Sequence, residues 1–174
     1  MSKAFTKDGA WEEPIIPPRP PLPSGVPNYV TPRGFRLLHA ELDQLEAERR
    51  RLEAADRSDE AEYRRRVAIL SGRTSDLAAR IASAAVVDPR HQPRDQVRFG
   101  AIVTLRTVSA EHVGEERRLE IVGIDEADAT HGRVAFTAPI ARVLLGREVG
   151  DTATLDTPRG KDLLEVVSID YAAD

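Results

Sequence analysis

The sequence contains no cysteine and few aromatic residues. Among its 174 residues there is one methionine and one tryptophan, and aromatic side chains make up 5%. Without cysteine the chain forms no disulfide and has no thiolate for catalysis or metal binding. This composition is typical of proteins in a reducing compartment, and we expect a cytoplasmic protein.

Long apolar runs are also missing. No stretch approaches the roughly twenty apolar residues that span a bilayer, and the N-terminus lacks the charged-then-apolar pattern of a signal peptide. We therefore expect no membrane partner. The net charge of −4 argues against nucleic-acid binding by the whole surface, although arginines cluster at residues 49–51 and 64–66.

Proline is concentrated near the N-terminus. Seven prolines lie between residues 14 and 27, with few large apolar side chains around them. Such a composition does not build a core and favours extended, polyproline-like conformers. We predict a flexible, proline-rich tail over residues 1–28.

Two consecutive segments carry apolar residues at alternating spacings of four and three, which is the a/d pattern of a coiled coil. Thr31 and Pro32 form a helix start signal, and a short polar link joins the segments. We predict an antiparallel coiled-coil hairpin within residues 29–90; a dimerising coiled coil or one hairpin of a bundle fits the periodicity as well. The two rows are Leu38, Leu42, Leu45, Arg49 and Leu52, then Tyr63, Val67, Leu70, Thr74, Leu77, Ile81 and Ala84.

The link between the helices is acidic. Asp56, Asp59, Glu60 and Glu62 fall within eight residues, which an antiparallel pair would place at its tip. Carboxylate oxygens are the ligands that Mg2+ prefers, and Mg2+ binds through only a few protein oxygens. The cluster therefore suits a divalent cation supplied by a partner.

From residue 97 onward the pattern changes to short strands separated by glycines. Strand signals occur at residues 102–105, 119–122, 134–136, 153–155 and 163–169, and residues 139–146 read as a short helix. We predict a small, mostly antiparallel sheet domain over residues 91–174. Residues 125–128 spell a helicase-like Asp-Glu-Ala-Asp box, but without a glycine-rich phosphate loop they predict a turn.

Several blocks together resemble the bacterial Gre transcript-cleavage factors, most closely GreB. They are the opening Tyr-Val-Thr-Pro-Arg-Gly-Phe at residues 29–35, the acidic octet 56–63, and the C-terminal blocks 97–101, 121–128, 138–151 and 157–160. The resemblance covers residues 29–171. It implies an α+β fold in which the coiled-coil hairpin precedes an FKBP-like domain.

The resemblance also implies a function. Gre factors bind bacterial RNA polymerase, insert the coiled coil through its secondary channel, and stimulate the polymerase's own cleavage of nascent RNA in backtracked complexes. Asp56 and Asp59 match the two catalytic tip acids, which would share a Mg2+ with the polymerase. The protein would be a monomeric accessory factor, binding no cofactor by itself and having no enzymatic activity of its own.

Further residues take supporting roles by the same resemblance. A second interpretation stays open for each of two groups. The docking residues could instead pack the short helix onto the sheet, and the arginines could simply lie on solvated helix faces. The supporting tip residues are Arg57, Ser58, Glu60 and Glu62; the docking residues are Pro139, Ile140, Ala141, Arg142 and Asp151; the arginines facing RNA or polymerase are Arg49, Arg50, Arg64 and Arg65.

The chain departs from the family pattern at the tip. Ala55 replaces a glycine, Asp59 replaces a glutamate and Glu60 replaces an asparagine, and the first helix is shorter by about nine residues, or ~13 Å of helix. Three hypotheses follow: an active cleavage factor, a channel-entering regulator that does not stimulate cleavage, and a dimeric coiled coil with no polymerase role. A peptidyl-prolyl isomerase is disfavoured, since only Phe99, Phe136 and Tyr171 would line an aromatic pocket.

Overall fold

The computed structural model describes residues 19–54, 59–109, 113–158 and 160–172. The N-terminal part contains two long helices, α1 (Pro32–Ala54) and α2 (Glu60–Ala82), each of 23 residues. A sheet domain with a short helix follows. The predicted α+β class is confirmed. Among the described residues, no helix is both long and apolar enough to cross a membrane.

The two helices pack against each other through the apolar rows that the spacing predicted. Thr31 caps α1, because its Oγ1 accepts a hydrogen bond from the Gly34 N–H at 2.9 Å. Only Arg49 of the first row is exposed. The prediction was wrong at Ala84, since α2 ends at Ala82. The buried cluster between the helices contains Val30, Leu38, Leu45, Leu70 and Leu77.

A two-stranded parallel sheet, which was not predicted, closes the base of the helix pair. Strand β1 (Asn28–Val30) precedes α1 and strand β2 (Ala84–Val86) follows α2. The ring of Tyr29 in β1 contacts the rings of Phe99 and Phe136 at centroid distances of 5.8 and 5.7 Å. Phe99 and Phe136 belong to the sheet domain, so β1 joins the helices to that domain.

The main sheet has five strands: β3 (Ala101–Thr107), β4 (Glu116–Val122), β5 (Arg133–Ala135), β6 (Thr152–Thr157) and β7 (Gly160–Tyr171). Their order is β5-β4-β3-β7-β6. The sheet is mostly antiparallel, as predicted, and its one parallel pairing among the described strands lies at the edge where β5 pairs with β4. Two 3-10 turns, Ile124–Glu126 and Ala129–His131, lie between these strands and return the chain so that β5 runs beside Glu120–Val122, the last three residues of β4.

The core of this domain lies between the sheet and the short helix α3 (Pro139–Leu144). Ala141 and Leu144 of α3 are fully buried, as are Val103, Leu105 and Ile121 of the sheet. Alternate residues of β3 point into this core, as a half-buried strand requires.

Part of the predicted tail contacts the folded body. Residues 19–27 contain no helix or strand, but Arg19 forms ion pairs with Glu41 of α1 and Asp125 of the sheet domain. Asn28, the last residue of the predicted tail, begins β1. The rest of the predicted tail, residues 1–18, lies outside the described residues, and the predicted domain boundaries stay predictions.

Candidate functional site

The described part of the acidic tip is the first turn of α2. Asp59 is the N-cap of this helix, and its Oδ1 accepts a hydrogen bond from the Glu62 N–H at 3.0 Å. Capping satisfies one of the amide groups that a helix start leaves unpaired. Asp59 therefore holds the first turn in place, and its side chain is exposed. Asp56, Arg57 and Ser58 lie outside the described residues.

The other tip carboxylates pair with arginines of their own helix. Glu60 and Arg64 lie 2.7 Å apart, and Glu62 and Arg66 lie 3.5 Å apart. Exposed pairs at this spacing contribute only about 0.3–0.5 kcal/mol each, so a stronger ligand competes easily for either partner. Within the described ranges, no three His, Asp or Glu side chains gather closely enough to hold a metal ion.

The predicted basic residues lie on exposed helix surfaces near the same end. Arg49 forms an ion pair with Glu53 at 3.5 Å, and the Arg50 Nε–H donates to the Glu46 carbonyl at 3.3 Å. Arg65 is exposed on α2. The positive charges and the tip carboxylates therefore occupy one end of the helix pair, opposite the sheet domain.

The predicted docking residues divide by burial. Pro139 and Arg142 of α3 are exposed, and Ile140 is half-buried. Ala141 is fully buried against the sheet, so it has no surface with which to contact a partner. Asp151 has a local role: its Oδ2 accepts a hydrogen bond from the Glu148 N–H at 2.9 Å, which closes the turn after α3.

Sequence reasoning missed a buried carboxylate at the joint between the helices and the sheet. Glu126 is 6% exposed. Its Oε2 accepts a hydrogen bond from Thr31 Oγ1 at 2.6 Å, and its Oε1 accepts one from Arg33 Nε at 2.6 Å. Arg33 also donates to Glu120 of β4 at 2.8 Å. The start of α1 is thereby fixed to the sheet domain by charge-assisted hydrogen bonds.

One signal for this joint was present in the sequence. Gly34 lies in the first turn of α1, where glycine is a poor helix former. A Cβ at this position would lie 2.6 Å from Glu126 Oε2. Glycine therefore permits the close approach of the buried carboxylate, but the sequence does not indicate which group approaches.

Local hydrogen bonds shape the turn that contains Asp128. Asp128 caps the 3-10 turn Ala129–His131 by accepting from the Thr130 N–H at 3.0 Å. Hydrogen bonds from the side chains of Thr130 and His131 hold the pKa of the Asp128 carboxyl well below its usual range. The predicted turn at residues 125–128 is thus present, and its acidic residues have structural roles.

The comparisons with known proteins agree with the resemblance. A family model described as "Transcription elongation factor, GreA/GreB, C-term" matches residues 92–171. Transcription elongation factor GreA of Francisella tularensis subsp. novicida (strain U112) is 40% identical over 155 residues, covering 82% of this chain and 95% of that protein. GreA of Francisella tularensis subsp. tularensis (strain WY96-3418) matches with the same identity and coverage.

Solved structures give a similar list of relatives. GreA factor homolog 1 (Gfh1) of Thermus thermophilus is 26% identical, with a TM-score of 0.39 over 83% of this chain and 99% of that one. The GreA/GreB factor of Nitrosomonas europaea is 24% identical, with a TM-score of 0.40 over 82% of this chain and 98% of that one. Because these TM-scores are low, the family assignment rests on the sequence matches.

The matched relatives include GreA proteins, and the family model covers GreA and GreB together, so the closer resemblance to GreB stays a prediction. The identity of 40% extends over most of both chains. The chain belongs to the GreA/GreB family of transcription elongation factors.

Proposed function

We propose that this elongation factor binds bacterial RNA polymerase through its secondary channel and stimulates the polymerase's own cleavage of nascent RNA. In this proposal the helix pair is a coiled-coil hairpin that enters the channel, and the sheet domain is an FKBP-like module that stays outside. The protein is then a monomeric accessory factor in the cytoplasm and is itself no enzyme.

The observation that supports this function is the position of the tip acids. Asp59, Glu60 and Glu62 are exposed at the end of the helix pair opposite the joint. Each helix has 23 residues, which corresponds to a length of about 34 Å. The carboxylates therefore lie far from the sheet domain, as delivery into another protein's active site requires.

Asp59 and Asp56 are the proposed ligands for a Mg2+ shared with the polymerase. Carboxylate oxygens fit this hard cation. The described residues form a hydrogen bond to Oδ1 of Asp59, in the helix cap, and none to Oδ2. When bound, Mg2+ would lower the pKa of an attacking water and stabilise the charge that develops on the phosphate. Asp59 would hold its carboxylate in a fixed orientation, because the cap ties it to the backbone of α2.

Other side chains would position the factor. Arg49, Arg50, Arg64 and Arg65 are exposed at the same end and would contact phosphates of the nascent RNA or carboxylates of the polymerase. At the other end, Pro139 and Arg142 offer the exposed part of the docking block.

The test is nascent-RNA cleavage in reconstituted, backtracked elongation complexes with the cognate polymerase and Mg2+. We expect Asp59→Asn to abolish stimulation without lowering stability, since asparagine caps a helix as well as aspartate does. Asp56→Asn should have the same effect on cleavage. Asp43→Asn, which neutralises an exposed carboxylate on α1, is the matched control and should cleave like the wild type.

The results separate the roles of the tip residues. Full stimulation by Asp59→Asn would mean that Asp59 acts only as the cap. No stimulation by the wild-type protein, despite binding to the polymerase, would favour the second candidate function, a channel-entering regulator that does not stimulate cleavage.

One observation favours that second candidate. The match to GreA spans 155 residues but covers 82% of the 174 residues here, or about 143. About a dozen aligned positions of the relative thus have no counterpart in this chain. Such a difference agrees with the shorter first helix that the resemblance predicted, and a shorter helix pair would withdraw the tip from the polymerase active site.

A further inference from the structure

The segment before β1 crosses the joint between the helix pair and the sheet domain. Arg19 donates from Nη1 to Asp125 Oδ1 at 2.8 Å and from Nη2 to Glu41 Oε1 at 2.5 Å. Asp125 belongs to the 3-10 turn Ile124–Glu126 of the sheet domain, and Glu41 belongs to α1. One guanidinium therefore bridges the two parts of the molecule.

The Asp125 carboxylate also pairs with a residue of α2. Arg80, which is 7% exposed, lies with its Nη1 3.2 Å from Asp125 Oδ2, and its Nη2 donates to the Pro20 carbonyl. Asp125 is thus shared between the arginines of the segment and of the second helix. The planar, forked guanidinium suits such bridging, whereas an ammonium group makes a single point contact.

The segment is also anchored at its other end. Asn28 Nδ2 donates to the Arg80 carbonyl at 2.8 Å and to Ser83 Oγ at 3.0 Å, which satisfies a carbonyl at the end of α2. Between the anchors lie Pro20, Pro21, Pro23 and Pro27. Because proline restricts the unfolded chain, ordering this segment costs less conformational entropy than ordering an ordinary loop.

We propose that residues 19–28 form a strap that fixes the angle between the helix pair and the sheet domain, with Arg19 as its clamp. The strap begins before Tyr29, where the resemblance to Gre factors starts. It adds a third attachment to the two already described, the Glu126 hydrogen bonds at the start of α1 and the ring contacts of Tyr29.

The angle matters because the helices are a long lever. Over the length of about 34 Å, a rotation of 10° at the joint moves the tip by about 6 Å. Catalytic groups must be held within about 0.5 Å of their productive positions. If the proposed cleavage function holds, Arg19 is therefore a positioning residue that acts through the helix pair.

The experiment measures the angle in the free protein, independently of any polymerase. The absence of natural cysteine allows spin labels to be placed at Ala54→Cys, at the end of α1, and at Lys161→Cys, on the sheet domain; both positions are exposed. Double electron–electron resonance then reports the distance between the labels. The test variants are Arg19→Ala and Arg19→Lys. The matched control is Arg117→Ala, which removes an exposed arginine of β4.

We expect a single narrow distance distribution for the wild type and for Arg117→Ala. Arg19→Ala should broaden or shift the distribution by at least about 3 Å, which corresponds to about 5° at the joint, and Arg19→Lys should give an intermediate result. The melting temperature should stay at that of the Arg117→Ala control, because Arg80 keeps Asp125 as its partner. An unchanged distribution in Arg19→Ala would overturn the strap.

A cleavage assay on the same variants keeps this inference apart from the proposed function. Stimulation by the wild type that falls in Arg19→Ala, with polymerase binding retained, would support Arg19 as a positioning residue. If the wild type gives no stimulation, the proposed cleavage function fails, while the distance measurement still decides whether the strap exists.

Discussion

Replacing Gly34 by alanine tests how tightly the start of α1 is fixed to the sheet domain. A Cβ at residue 34 would lie 2.6 Å from Glu126 Oε2 and 3.2 Å from its Cδ. The carboxylate has little freedom to move away, because Glu126 is 6% exposed and accepts hydrogen bonds from Thr31 and Arg33. The new methyl group must therefore displace a buried, hydrogen-bonded anion.

The expected sign is opposite to that of an ordinary helix substitution. Glycine to alanine within a helix normally stabilises by up to about 1 kcal/mol. Each hydrogen bond to a charged group contributes about 1.5–3 kcal/mol, and both bonds to Glu126 depend on the displaced carboxylate. We expect Gly34→Ala to lower the free energy of unfolding by about 2–4 kcal/mol, measured by urea denaturation at 25 °C with circular dichroism.

A double-mutant cycle supplies the control. In a Glu126→Ala background the carboxylate is gone, so Gly34→Ala should be neutral or stabilising by up to about 1 kcal/mol. The two substitutions should then show a coupling energy of about 2–4 kcal/mol. The reasoning is refuted if Gly34→Ala stabilises the wild-type protein, or if it has the same effect in both backgrounds.

Three further predictions concern single side chains. Asp59→Ala should lower the free energy of unfolding by about 0.5–2 kcal/mol in urea denaturation, whereas Asp59→Asn should not, because only alanine removes the helix cap. Hydrogen bonds from Arg90 lower the pKa of Asp88 to about 2. The ionised Asp88 carboxylate should therefore stabilise the fold fully above about pH 4, and this contribution should be lost as the pH falls through 2. An NMR titration of the Asp88 carboxyl with a midpoint near 4 would contradict this. If the proposed docking holds, Arg142→Ala should weaken binding to RNA polymerase in a pull-down or fluorescence titration without changing the melting temperature, and unchanged affinity would exclude Arg142 from the proposed docking surface.

Local patterns in the sequence predicted most of the secondary structure. The alternating spacing of Leu38, Leu45, Leu70 and Leu77 predicted the buried face between the helices, since residues at this spacing lie on one side of a helix. The start of α1 was also predictable, because Thr31 and Pro32 act through their own side chains and backbone. Strand positions followed from short apolar runs, and the family followed from several blocks in order.

Pairing between distant strands was not predictable in the same way. The parallel pairing of β5 with β4 and of β1 with β2 depends on how connecting segments fold back, which the strand residues themselves do not encode. The burial of Ala141 likewise follows from the side of α3 that meets the sheet. The block at residues 138–151 predicted docking residues, and only the packing of α3 on the sheet showed which of them are buried and which are exposed.

The sequence by itself therefore determined the family, the two helices with their acidic link, and the presence of a turn at residues 125–128. Only the tertiary structure decided that Asp125 and Glu126 in this turn bind arginines and a threonine from three other segments of the chain. The physical reason is that a carboxylate in a turn can be hydrated by water as readily as it can pair with a distant side chain, so the local sequence does not distinguish the two cases. Which side chain pairs with it depends on which residues the fold buries beside the turn, and here these residues lie more than 40 positions away in the chain.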